Sequence, residues 1–129
     1  MARDFIKGDW QQGRAFSPAV VTTDTRKTIW LAGHGGLKSD DGTVLKGDFD
    51  AQCRQCFRNL EKTLAPAGGT LRDIVTMTVF LTDVRQTTRM TEIRTEIFGD
   101  DFPASAAITV TGFAVPEMLI EIQAVAVLD

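Results

Sequence analysis

Residues 118–128 read MLIEIQAVAVL, and the fold turns on that stretch. Apolar side chains stand at both parities, Leu119, Ile120, Ile122, Ala124, Val125, Ala126 and Val127. Successive side chains of a strand point to opposite faces, so a strand of this composition has to be covered on both sides. Helices can cover one face. Nothing remains in the chain for the other, which predicts self-association across an open sheet face. Glu121 interrupts the run, and a buried carboxylate costs several kcal/mol unless it is paired. It therefore belongs on a pocket wall or an interface, or else it alternates toward solvent with Gln123.

The stretch 73–83, DIVTMTVFLTD, is β-rich on both faces and reads as a central strand. Between Asp48 and Ala65 the period changes: Phe49, Cys53, Cys56, Phe57, Leu60 and Leu64 form one helical stripe. Gln52, Arg54, Gln55, Arg58, Glu61 and Lys62 read as the solvated face of that helix. Asp48 or Asp50 can cap its start, and Pro66 with Gly68 and Gly69 ends it. A second helix runs from Asp83 to Phe98 with Met90, Ile93, Ile97 and Phe98 inward. KTIWLAG at 27–33 is a buried strand, and the preceding PAVVTTDTRK is expected to form a hairpin with it. A strand at 106–112 precedes the final one. The order β-β-α-β-α-β-β predicts an α+β fold, a mixed sheet with two helices on one face.

The 129 residues are 43% hydrophobic and 24% charged, which excludes disorder, collagen-like repeats and coiled coil. One domain over residues 1–129 is expected. A net charge of −3 argues against nucleic acid as a partner. The N-terminal MARDFIKGDW has no apolar core, and no run reaches the roughly 18–20 apolar residues of a membrane span. A cytoplasmic protein, with neither nucleic acid nor membrane as partner, is the expectation.

With one His, two Cys and no Tyr, the chain can build a catalytic site from few residues. Cys53 and Cys56 have CxxC spacing, but no second ligand pair exists for zinc, and both fall on the apolar stripe. They read as core thiols, with no metal site. His34 follows a buried strand in Ala32-Gly33-His34-Gly35-Gly36, where an imidazole suits proton transfer and glycines admit a ligand; it reads equally as a surface loop residue. The same glycines are not a phosphate loop, since no GK[ST] follows. Ser105 lacks any nucleophile motif and reads alone as a strand-start residue.

Several strings taken together resemble the Rid family (YjgF/YER057c/UK114), the reactive intermediate imine deaminases, over about residues 15 to 127. They include Phe16-Ser17-Pro18-Ala19, Leu31-Ala32-Gly33, Leu64-Ala65-Pro66-Ala67-Gly68-Gly69, Thr76-Met77-Thr78-Val79-Phe80-Leu81-Thr82-Asp83, Phe102-Pro103-Ala104 and Ile120-Glu121-Ile122-Gln123-Ala124. The resemblance implies a chorismate-mutase-like (YjgF-like) fold and a homotrimer with ligand clefts between subunits. It further implies cofactor-free hydrolysis of small imines or enamines to 2-oxo acids and ammonia. Glu121 and His34 would then be the catalytic candidates, and Phe16, Ala32, Gly33, Thr91, Ser105 and Ala107 would bind the small-molecule substrate.

The resemblance also exposes departures. Ser105 stands where the family has a carboxylate-binding Arg, Phe16 where it has Tyr, Ala32 where a hydroxyl residue stands, and His34 where Gln is frequent. Thr91 takes the place of Asn and Ala107 that of Cys, while Gly33 and Glu121 match. These changes place the chain with an Arg-lacking subgroup. Serine replaces arginine in neither charge nor reach, so a charged 2-imino acid would bind poorly unless Arg14, Arg89 or Arg94 enters the cleft. The alternative reading is a non-catalytic ligand-binding or chaperone-like stress-response trimer.

Overall fold

The strand that comes last in the chain lies inside the sheet. In the computed structural model, which describes residues 2–129, the elements are β1 (Ala2–Ile6), β2 (Ala19–Thr23), β3 (Lys27–Gly35), α1 (Phe49–Leu64), β4 (Ile74–Leu81), α2 (Thr87–Phe98), β5 (Ala104–Thr109) and β6 (Ile120–Leu128). Four strands form one sheet in the order β3-β6-β4-β5. Only the β4–β5 pair is parallel, and α2 is the crossover between its strands. The sheet is mixed, both helices pack on one face, and the fold is α+β as expected.

Alternation along β6 puts Ile120, Ile122, Ala124 and Ala126 under the helices, each at most 2% exposed. On β4, Met77, Val79 and Leu81 point the same way. Cys53, Cys56, Phe57, Leu60 and Leu64 of α1 and Met90, Ile93 and Phe98 of α2 fill the space above them. Phe57 meets Phe98 edge-on, ring centroids 6.1 Å apart. Asp48 caps α1 by accepting from the Ala51 backbone N–H at 3.0 Å. Both thiols are fully buried, as their stripe position requires.

Three expectations change. First, β2 does not pair with β3. It pairs with β1, in the register Ala2↔Thr23 to Ile6↔Ala19. Asp24 takes a left-handed φ of 55° and breaks the ladder, while Arg26 donates its backbone N–H to the Leu128 carbonyl and starts β3 on β6 instead. Arg3 fixes the extra strand, donating to Asp73 at 2.9 Å and to the Val127 carbonyl at 2.7 Å. Second, the fifth strand starts at Ala104 rather than residue 106, because its hydrogen bonds to β4 begin with Ala104 opposite Thr76.

Third, Gln52 and Gln55 are not on a solvated face; they are 0% and 4% exposed. The Gln52 amide donates to the carbonyls of Leu45 and Glu117 and accepts from the Leu119 N–H at 2.9 Å. It satisfies the backbone of two connecting segments that would otherwise be buried unpaired. Gly36 sits nearby, so close to the Gln52 carbonyl and the Cys56 N–H of α1 that a Cβ has no room.

Candidate active site

Two separate places on the chain hold the residues of interest. The first is a cleft of about 570 Å³ between α2 and the edge strand β5, closed at one end by the loop around residues 13–16. A cavity of that volume suits a small metabolite. Phe16, Thr91, Ser105 and Ala107 all line it. Ser105 pairs with Met77 and Ala107 with Val79, so both look toward the helices. Phe16 is set by its neighbours: its ring lies 5.6 Å from that of Trp10, and Ser17 donates through its hydroxyl to the Phe102 carbonyl at 2.6 Å. Ser17 also donates its N–H to the Pro103 carbonyl, tying the loop to the start of β5.

Arg94 comes into this cleft from α2. It is 2% exposed. Its Nη1 donates to Ser105 Oγ at 2.7 Å and its Nη2 to the Arg14 carbonyl at 3.4 Å. Nε is buried with no partner, and no described carboxylate forms an ion pair with it. Burial pulls this guanidinium down to about 10, which still leaves it charged at neutral pH. Of the other two arginines, Arg14 lines the cleft and Arg89 is turned to α1, paired with Asp50 at 2.8 Å.

The second place is the open face of the sheet. The β3–β6 register shifts between Leu31 and His34, so two residues of β3 stand opposite one of β6. Gly33 there lies against Glu121: a Cβ on residue 33 would be 2.8 Å from the carboxyl carbon and 3.0 Å from each oxygen. Glu121 makes no hydrogen bond or ion pair among the described residues, and its opposite number on β4 is Phe80. Ala32 lines a shallower hollow of about 410 Å³ on the same face, with Trp30, Thr76, Thr78, Gln123 and Val125 around it.

His34 points the other way. Its Nδ1–H donates to the Ala32 carbonyl at 2.7 Å, and its Nε2 meets Thr63 Oγ1 of α1 at 2.8 Å. The structure therefore groups Phe16, Thr91, Ser105 and Ala107 in one cleft, Ala32, Gly33 and Glu121 on the open face, and His34 against α1. Sequence patterns did not single out Trp10, which braces Phe16, nor how deeply Arg94 is buried.

A family model, Endoribonuclease L-PSP, matches residues 11–128. The chain belongs to that family, the Rid family. Within it, the chain is 35% identical over 98 residues to a RutC family protein of Pyrococcus horikoshii, covering 76% of this chain and 77% of that one. It is 32% identical over 113 residues to the human 2-iminobutanoate/2-iminopropanoate deaminase, 87% of this chain and 79% of the relative. The solved Rid-family protein YyfB of Yersinia pestis superposes with a TM-score of 0.86 at 27% identity, over 99% of this chain and 100% of its own. The fold is thus that of the Rid (YjgF) proteins, and among the described residues no helix is long and apolar enough to cross a membrane.

Proposed function

We propose that this Rid-like protein hydrolyses a small imine or enamine, with Glu121 as the general base. The observation that carries the reading is the carboxylate packed on Gly33, with 2.8 Å between its carbon and the place a Cβ would take. Such a group, free of any ion pair among the described residues, can hold a water molecule beside a strand backbone laid bare by glycine. The deaminase name of the human relative supports the same reaction class.

In hydrolysis Glu121 takes one proton from water as the oxygen bonds to the imine carbon. The C=N electron pair moves to nitrogen, which takes that proton from Glu121 and restores the carboxylate. The carbinolamine then collapses: its hydroxyl proton passes through the same carboxylate to nitrogen, the C–N bond breaks, the carbonyl forms, and ammonia leaves. An enamine enters after gaining a proton at carbon. Water and one proton carrier suffice, so the reaction calls for no cofactor. His34, held between Ala32 and Thr63, is left out of these steps and latches β3 to α1.

Glu121 faces the open side of the sheet and Ser105 the helix side, so a site using both takes them from different copies. We propose a homotrimer in which a neighbour's sheet face meets the α2–β5 cleft. The apolar side chains on that face support this, Trp30 being 79% exposed and Ile108 46% exposed.

The test is ammonia release from freshly generated 2-aminoacrylate and from neutral enamines, wild type against Glu121→Ala. Loss of a general base is expected to lower kcat by roughly 10²–10⁴-fold. Turnover that is absent in wild type, or unchanged in the variant, overturns the reading. A ligand that stabilises the protein without any turnover would favour the non-catalytic binding role.

A further inference from the structure

We infer that Arg94 and Ser105 form an anion subsite at the floor of the α2–β5 cleft, and that the ligand it takes carries a carboxylate. The subsite concerns what the ligand must carry in the cleft of the proposed reaction, and it stands on observations separate from Glu121.

A guanidinium 2% exposed lies in a medium of low effective dielectric, where an unpaired charge is costly. Arg94 has no carboxylate among the described residues to offset that cost. Its two described hydrogen bonds go to a hydroxyl and a carbonyl, both neutral, and its Nε has no partner. The thiol of Cys53 is the ionisable group whose field it feels. Burial pushes that thiol up to about 12, so it stays protonated and supplies no counter-charge. Arg94 borders a cleft large enough for a metabolite, and a ligand there can bring the missing negative charge.

Ser105 makes the contact. Its oxygen accepts from Arg94 Nη1 at 2.7 Å, which leaves the hydroxyl proton unspent. A hydroxyl that accepts from a cation becomes a stronger donor, so Ser105 can present the charge of Arg94 to an oxyanion in the cleft. Serine at this position thus accompanies a relocated cation, supplied from the helix rather than from the strand. One guanidinium balances one negative charge. Arg14 also lines the cleft but is exposed, so the buried floor itself matches the single charge of a monocarboxylate better than the second charge of phosphate.

The test reads binding, never turnover, so failure of hydrolysis and failure of the subsite are separate results. Thermal unfolding is followed with pyruvate, with its neutral counterpart pyruvamide, and with inorganic phosphate. Pyruvate is expected to raise the melting temperature of wild type in proportion to the logarithm of its concentration once saturating, and pyruvamide to leave it unchanged. Arg94→Met keeps the apolar stem; its ligand-free melting temperature is expected at or above that of wild type, with the pyruvate response gone. A purely structural Arg94 would instead lower it. Ser105→Ala is expected to weaken pyruvate binding at least tenfold, and it decides the matter if Arg94→Met does not fold. Equal responses to pyruvate and pyruvamide, a stronger response to phosphate, or an intact pyruvate response in either variant overturns the inference.

Discussion

Glu121 can lie over residue 33 only because that residue has no side chain. A methyl there would sit 2.8 Å from the carboxyl carbon, and the atoms that yield are the far end of a flexible side chain. Gly33→Ala is therefore expected to move the carboxylate and cut turnover by about 10²-fold or more, while the melting temperature stays within a few degrees of wild type. Kinetics beside a thermal melt checks both halves. The buried thiols behave oppositely, supporting the fold without taking part in the chemistry. An unfolded thiol ionises near 9, whereas burial pushes folded Cys53 up to about 12. Its contribution to stability is complete below pH 9 and fades as the pH rises toward 12. Ellman's reagent is expected to label neither cysteine in the native protein and both at the rate of unfolding. At this scale Glu121 was legible, since a carboxylate in an apolar run has few places to go. Arg94 was legible by spacing alone, four residues from both Met90 and Phe98. The sequence offered it only as one of three arginines, with Arg14 and Arg89, that could enter the cleft, because a charged residue type obscures an inward position.

Among the elements, α1 shows the same conflict between type and spacing. Gln52 lies three residues after Phe49 and four before Cys56, on the inward stripe, yet an amide in a helix ordinarily reads as surface. Its burial makes it the junction of α1 with the segments entering α1 and β6. Gln52→Ala would strand two carbonyls and an N–H, and is expected to lower unfolding free energy by roughly 2–4 kcal/mol in urea titration. Helices and central strands were legible because their apolar periods are long and unbroken. The β1–β2 ribbon was not: five residues with Arg3 and Asp4 among them carry little period-two signal, and chain proximity favoured a β2–β3 hairpin. What decides the pairing is tertiary, the Arg3 contacts with Asp73 and Val127, and no local pattern encodes them.

For the whole molecule, the open sheet face is the feature with the widest consequence. It was legible in the apolar residues at both parities of β6, and Trp30 stands on it 79% exposed. Light scattering of wild type is expected to give three times the 14.1 kDa of one chain. Trp30→Asp is expected to shift the population toward single chains, with a parallel loss of turnover if the site is shared between copies. The proposed meeting of copies was not legible, because the groups it would join, Glu121 and the α2–β5 cleft, lie on opposite sides of one sheet. The strand order adds a constraint in time. β6 is hydrogen-bonded to both β3 and β4 but follows every other element in the chain. Until it is synthesised, the β4–α2–β5 unit can form, while β3 stands as an unpaired edge with no sheet to join. Completion of the sheet must therefore await the synthesis of β6, and the interval before it is when this chain is most exposed to aggregation.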